Sequence, residues 1–138
     1  MRAALDSSVI IAAVDASDPD HEACHTLLGS GRFMIHDHAL TETFSILTGG
    51  KLGIRVAASA ATAILESLAA RFTVISPPAE DLLAAYAECS QRGIRGGAIY
   101  DYLHLAAART GGASKLYTLN IADFLAFHRV GDPAIERP

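Results

Sequence analysis

Short apolar runs alternate along this chain with longer stretches of helical pattern, and that alternation restricts the fold more than any other feature. Ala3–Leu5, Phe33–Ile35, Phe72–Ile75 and Leu116–Leu119 read as short strands. The first helix runs from Ser7–Ser8 through Val14. A second opens at Asp18–Pro19, with Asp as N-cap and Pro at the first helical position, and stops at Gly29–Ser30–Gly31. Leu40–Leu47 is helical until Gly49–Gly50, and Arg55–Arg71 is a long Ala-rich helix. Ala79–Gln91 follows Pro77–Pro78, Gly93–Gly97 is a loop, Asp101–Arg109 is helical, and Asn120 opens a last helix. Strands joined through helices pair in parallel and are covered on both faces. The expected fold is therefore three-layer α/β/α, Rossmann-like, with a central parallel sheet flanked by helices.

At 138 residues, without repeat, low-complexity tail or linker, the chain reads as a single domain over residues 1–138. Half of its residues are hydrophobic, enough for a core without disulfides. Cys24 and Cys89 show no framework spacing and read as reduced thiols of a cytoplasmic protein. The apolar start does not make a signal peptide, because Asp6 interrupts it, and no run is long enough to span a bilayer. The net charge of −4 argues at first against a nucleic-acid ligand. Setting aside the four acids discussed next leaves 11 acids against 11 bases, so net charge neither supports nor excludes one.

In open parallel sheets the functional crevice lies outside the C-terminal ends of the strands. Asp6 closes the first strand, and Glu42 falls in the first turn of the helix after Phe33–Ile35. Asp101 opens the helix after the glycine loop, and Asp123 lies in the first turn after Leu116–Leu119. All four converge on one edge. Each alone has a plain alternative as a helix-capping acid favoured by the helix dipole, and Asn120 with Asp123 resembles a capping box. Four together form an anionic cluster that calls for a cation, and oxygen donors with few or no imidazoles suit Mg²⁺ or Mn²⁺ better than Zn²⁺.

Asp6-Ser7-Ser8-Val9, Thr41-Glu42-Thr43-Phe44, Gly97-Ala98-Ile99-Tyr100-Asp101 and Thr118-Leu119-Asn120-Ile121-Ala122-Asp123-Phe124 together resemble the PIN-domain pattern. Size and element order are similar to the VapC toxins of bacterial toxin–antitoxin pairs, across nearly the whole chain. That resemblance implies Mg²⁺-dependent cleavage of RNA with Mn²⁺ as a substitute, products bearing a 5′-phosphate and a 3′-hydroxyl, a homodimer, and a small antitoxin covering the acidic site. It puts Asp6, Glu42, Asp101 and Asp123 on the family's catalytic, metal-binding quartet, and Ser8, Thr118 and Asn120 on its supporting polar positions. Phe44 and Leu47 are the expected apolar anchors for the antitoxin.

One rival motif stands out. His21-Glu22-Ala23-Cys24-His25 matches H-E-x-x-H, the pattern of a zinc hydrolase with Glu22 as base. Its extended form fails, since Leu28 stands where glycine is needed and Gly31 where the third histidine is. The alternative is an amphipathic surface helix with Ala23, Leu27 and Leu28 facing inward. His36-Asp37-His38, just before the Glu42 helix, puts His38 near the site entrance as a candidate RNA contact. Among the bases that flank the cleft in sequence, Lys51, Arg55, Arg92 and Arg95, the glycine-loop Arg95 is the best candidate for an RNA phosphate. Arg55–Arg71 carries Glu66 as its sole interior charge and reads either as a dimer-packing helix or as a central helix of the monomer. Three function classes follow: a metal-dependent ribonuclease, a zinc hydrolase, and a non-catalytic α/β binding module.

Overall fold

A computed structural model describes residues 2–50, 53 and 55–138. Its elements run β1 (Ala3–Leu5), α1 (Ser7–Val14), α2 (His21–Gly29), β2 (Met34–His36), α3 (His38–Gly49), α4 (Ala58–Ala69) and β3 (Thr73–Ile75). They continue with α5 (Ala79–Arg92), α6 (Ala98–Thr110), β4 (Lys115–Tyr117), α7 (Ile121–Phe127) and β5 (Ala134–Glu136). The five strands form one all-parallel sheet in the order β3-β2-β1-β4-β5. The chain winds outward from β1 in one direction through β2 and β3, then returns to its other side for β4 and β5. The order therefore reverses between β1 and β4, where an open α/β sheet presents a crevice at its strand C-termini.

Side-chain alternation along the strands builds two cores. Ala3, Leu5 and Ile35 face α1 and α2 through Val9, Ile10, Cys24 and Leu28. Ala4, Met34 and Leu116 face the opposite way, onto Tyr102, Leu105 and Phe124 of α6 and α7. β1 is buried on both faces, so all three of its residues are apolar. No described helix is long and apolar enough to cross a membrane.

Several features differ from the sequence expectation, each for a local reason. Asp18 does not cap α2: its Oδ1 accepts the Asp20 N–H at 2.8 Å in a tight turn, and the helix begins at His21. On α2 the inward residues are Cys24 and Leu28, while Ala23 is exposed. The stretch 55–57 stays extended, so α4 starts at Ala58, and only Ala61 and Leu68 of it are buried. It lies at the monomer surface and is not a central helix. β5 was not anticipated, because Ala134-Ile135-Glu136 follows Pro133 with neither length nor pattern to mark it. At Gly93 the backbone turns left-handed (φ +69°) to end α5, a conformation that glycine adopts without strain. It sends the chain into the loop that delivers Asp101.

Candidate active site

Asp6 lies at the reversal point, extended (φ −93°, ψ 177°) between β1 and α1. Its Oδ1 accepts Ser8 Oγ–H at 2.6 Å and the Val9 N–H at 3.3 Å, so it does cap α1. Its Oδ2 accepts Thr118 Oγ1–H at 2.6 Å, from the end of β4. The two hydroxyls are fixed in turn, Ser8 Oγ by the Leu119 N–H (3.0 Å) and Thr118 Oγ1 by the Asn120 N–H (2.9 Å). A carboxylate 1 % exposed is thus clamped across the β1/β4 seam. Burial raises its carboxyl above the ordinary range, against the opposing pull of His104 and these hydrogen bonds.

Asp101 sits in the first turn of α6, three residues after the helix start at Ala98, and does not itself open the helix. Burial, with the nearby charges of Asp6, Glu42 and Asp123, pushes its carboxyl up to about 6 even though His104 pulls the other way. It stands between two clefts. One, of about 380 Å³, is lined by Asp101, Asp123, Arg92, Ile94 and Phe127. The other, of about 460 Å³, is lined by Asp101, Glu42, Ser8, Asn120, Ile11 and Ile46. Asp123 is exposed in the first turn of α7, and the Asn120 side chain makes no capping hydrogen bond. The Asn120/Asp123 capping box is therefore not formed.

Glu42 lies in the second turn of α3, not the first, since α3 begins at His38. Its Oε1 is 3.0 Å from His104 Nε2 and 2.5 Å from His38 Nδ1. Burial works against ionisation there, but the two imidazoles hold the carboxyl down at about 2. His38, Glu42 and His104 each offer a ligand atom within 4.8 Å of the other two, and no other such group of three exists among the described residues. The acidic quartet is gathered less tightly than this. Two imidazoles border Glu42. His104 was not anticipated. Its signal is a lone polar residue inside the apolar run Tyr102-Leu103-His104-Leu105, one turn after Asp101. His38 has its ring turned inward onto His36 and His104, at centroid distances of 4.2 and 4.3 Å.

The other candidates separate clearly. His21 Nδ1 donates to the Ala12 carbonyl at 2.8 Å, and its ring lies 5.4 Å from that of His25. No third ligand joins this pair among the described residues. Arg92 lines the Asp123 cleft, yet its guanidinium donates to Asp132 at 2.5 and 3.3 Å and to the Phe127 carbonyl. Arg109 meets the same carboxylate, which is 3 % exposed, and Glu88 binds both Arg109 and the Tyr102 hydroxyl. This part-buried network ties α5, α6 and the end of α7 together and leaves Arg92 committed. Arg95 is exposed and makes no ion pair among the described residues. Arg55 is exposed beside Gly50, and Lys51 lies outside the described residues.

Comparison with known proteins follows this geometry. No curated protein sequence matches the chain. The solved structure of Mycobacterium tuberculosis VapC20, described as a sarcin-ricin-loop-cleaving toxin, is similar with a TM-score of 0.72 at 24 % identity, over 95 % of this chain and 99 % of that one. VapBC2 from Rickettsia felis, bound to a DNA fragment from its promoter, is similar at TM-score 0.66 and 19 % identity, over 99 % and 98 %. A toxin–antitoxin complex from Klebsiella pneumoniae is similar at 0.66 and 17 %, over 100 % and 98 %. The PIN domain profile matches residues 3–131, nearly the whole described fold, and the chain belongs to the PIN domain family.

Proposed function

We propose that the protein is a divalent-metal-dependent endoribonuclease of the VapC type, the toxin of a toxin–antitoxin pair. The observation that carries this reading is Asp101, held at about 6 by burial and the charges of Asp6, Glu42 and Asp123, on the wall of both clefts at the sheet's reversal point. A carboxyl raised first by burial and then by neighbouring carboxylates fits a hard divalent cation, which takes oxygen ligands and offsets both costs. Asp101 and Asp123 would hold Mg²⁺, or Mn²⁺ in its place, with Asp6 and Glu42 completing the site. Such an ion lowers the pKa of bound water and stabilises negative charge at phosphorus.

The protein's own contribution is positional. Asp6 cannot swing, because Ser8, Thr118 and the Val9 N–H occupy both its oxygens. Asn120 lines the Glu42 cleft while its N–H fixes Thr118, so the supporting polar residues act through Asp6. Exposed Arg95, on the loop that feeds α6, is the residue we assign to an RNA phosphate.

A small antitoxin is the natural partner of such an enzyme, as in the VapBC assemblies that share this fold. An arginine fork reaching Asp101 would satisfy two carboxylate oxygens and displace the cation. Leu47, at 2 % exposed, is no anchor for it. Ile11 and Ile46 line the Glu42 cleft and take that role beside the half-buried Phe44. The outer face of α4 is the surface we assign to a homodimer.

The test is RNA cleavage by purified protein with Mg²⁺ or Mn²⁺. EDTA should stop it, the products should carry 5′-phosphates, and Asp101→Asn should lower the rate at least ~100-fold, the scale of a lost metal contribution. Metal-independent cleavage, or full activity in Asp101→Asn, overturns the proposal.

A further inference from the structure

Glu42 is the one member of the acidic quartet in direct contact with imidazole nitrogens among the described residues. His104 and His38 approach the same oxygen, Oε1, at 3.0 and 2.5 Å. The His38 contact is not an aligned hydrogen bond: despite the short distance, Nδ1 has no hydrogen-bond partner, and neither does Nε2. His104 is 1 % exposed with its Nδ1 also unpartnered, so a fully buried ring hangs on a single contact to Glu42. Buried polar groups are ordinarily hydrogen-bonded. Two imidazoles that converge on one carboxylate oxygen, with a single hydrogen bond between the three groups and the other ring nitrogens left without partners, describe a ligand set.

The chemistry of that set differs from the quartet's. Two imidazoles and one carboxylate suit Zn²⁺ and similar borderline ions, whereas Mg²⁺ takes oxygen. Donors within 4.8 Å of one another need little rearrangement to surround an ion at bonds of about 2.0–2.2 Å. Three protein ligands leave a fourth position open, and Glu42 lines a cleft open to solvent. Histidines at metal sites usually donate their other N–H to a fixed partner. His38 Nε2 and His104 Nδ1 have none, so the site is exchangeable and unlike a permanent structural zinc.

We propose that His38, Glu42 and His104 form a Zn²⁺ site distinct from the all-oxygen site, and that zinc bound there withdraws Glu42 from the nuclease and inhibits it. The inhibitory half rests on Glu42 belonging to the nuclease site; the binding half does not. Asp101 belongs only to the oxygen site, so the two sites are separable by mutation.

Metal-free protein is titrated with Co²⁺ as a spectroscopic stand-in and with Zn²⁺ by calorimetry, both in excess Mg²⁺. The expected result is one ion per chain, with visible Co²⁺ absorption of a nitrogen-containing, low-coordinate site. Losing an outer-sphere partner costs about 10–100-fold in metal affinity, so His38→Gln, which removes a direct ligand, should weaken binding about 100-fold or more. His38 is partly exposed, and circular dichroism checks that this variant folds. The His21→Ala/His25→Ala double variant should bind as tightly as wild type, and Asp101→Asn should keep one ion per chain, with at most a few-fold change in affinity from the lost neighbouring charge. Unchanged binding in His38→Gln overturns the site, as does loss of binding in the double variant, which would put the ion on α2. Zinc should also suppress Mg²⁺-dependent RNA cleavage by wild type while leaving the residual cleavage of His38→Gln untouched. If zinc binds as described without inhibiting, the regulatory half fails. If no RNA is cleaved under any condition, the nuclease reading fails, and the Co²⁺ and Zn²⁺ titrations still decide the site.

Discussion

Asp101 is half-buried and Asp6 fully buried, and they answer differently to the same substitution. Asp101 is crowded by like charges, so Asp101→Asn should leave metal-free stability unchanged or raised while abolishing cleavage. Asp6 accepts hydrogen bonds at both oxygens, and an amide nitrogen there would face a hydroxyl donor. Asp6→Asn should therefore cost about 1–3 kcal/mol as well as activity, read by thermal denaturation beside the RNA assay. Titration of Asp101 makes the distinction sharper. Its carboxyl moves from an ordinary 3.8 to about 6 in the fold, so between those values the folded chain binds more protons than the unfolded one. Its contribution to stability must then fall as pH rises through that window and flatten above it. Glu42 has the opposite sign, since its depressed carboxyl gives stability that is lost only as pH falls from 4.5 toward about 2. His36, lowered to about 4 by burial and the neighbouring His38, contributes with the opposite sign over the same range, so from pH 4.5 to 6 the melting temperature of metal-free wild type should fall relative to that of Asp101→Asn. Parallel profiles for wild type and variant would remove Asp101 as the cause.

At the scale of single elements, α2 carries the most misleading motif in the chain. His21 Nδ1 bonds the Ala12 carbonyl near the end of α1, so its ring ties α1 to α2. The His21→Ala/His25→Ala double variant should lose about 1 kcal/mol of stability, the worth of one hydrogen bond, and keep RNA cleavage within a few-fold of wild type. Arg92 behaves as a structural residue too. Arg92→Met removes one of the two guanidinium partners of the nearly buried Asp132 and should destabilise by about 3 kcal/mol, measured by denaturant unfolding. The sequence revealed most of this architecture, because strands buried on both faces read as apolar runs and Gly or Pro punctuate their ends. It pointed to Asp6, Asp101 and Asp123 for the same reason, each lying just past a strand or in the first turn of a helix, whereas Glu42 lies a turn further into α3 than its sequence suggests. It concealed what depends on side chains meeting across the fold. His104 reads as one polar residue in an apolar helix, and nothing local says that its Nε2 reaches Glu42, 62 residues earlier. Asp132 and β5 were invisible likewise, as a loop acid and three residues without pattern.

For the whole molecule, expression of the wild-type chain alone should slow growth. Co-expression of its small partner should restore growth, and Asp101→Asn should be harmless alone. If wild-type expression is harmless, the toxin reading fails even with RNA cleavage intact in the tube. The order of the strands has a bearing on how a cell survives making such a chain. Asp6 is held by Thr118, 112 residues further on, and β1 completes its pairing only when β4 arrives. A ribosome therefore releases the first acid of the site early, with Ser8 and the Val9 N–H available to one of its oxygens but Thr118 not yet made to hold the other. Until residue 118 and the strand before it have emerged, the nascent chain has no seam and no assembled cutting edge. Under the proposed toxin reading, the site is completed only late in translation, and a partner synthesised beforehand has that whole interval in which to be waiting.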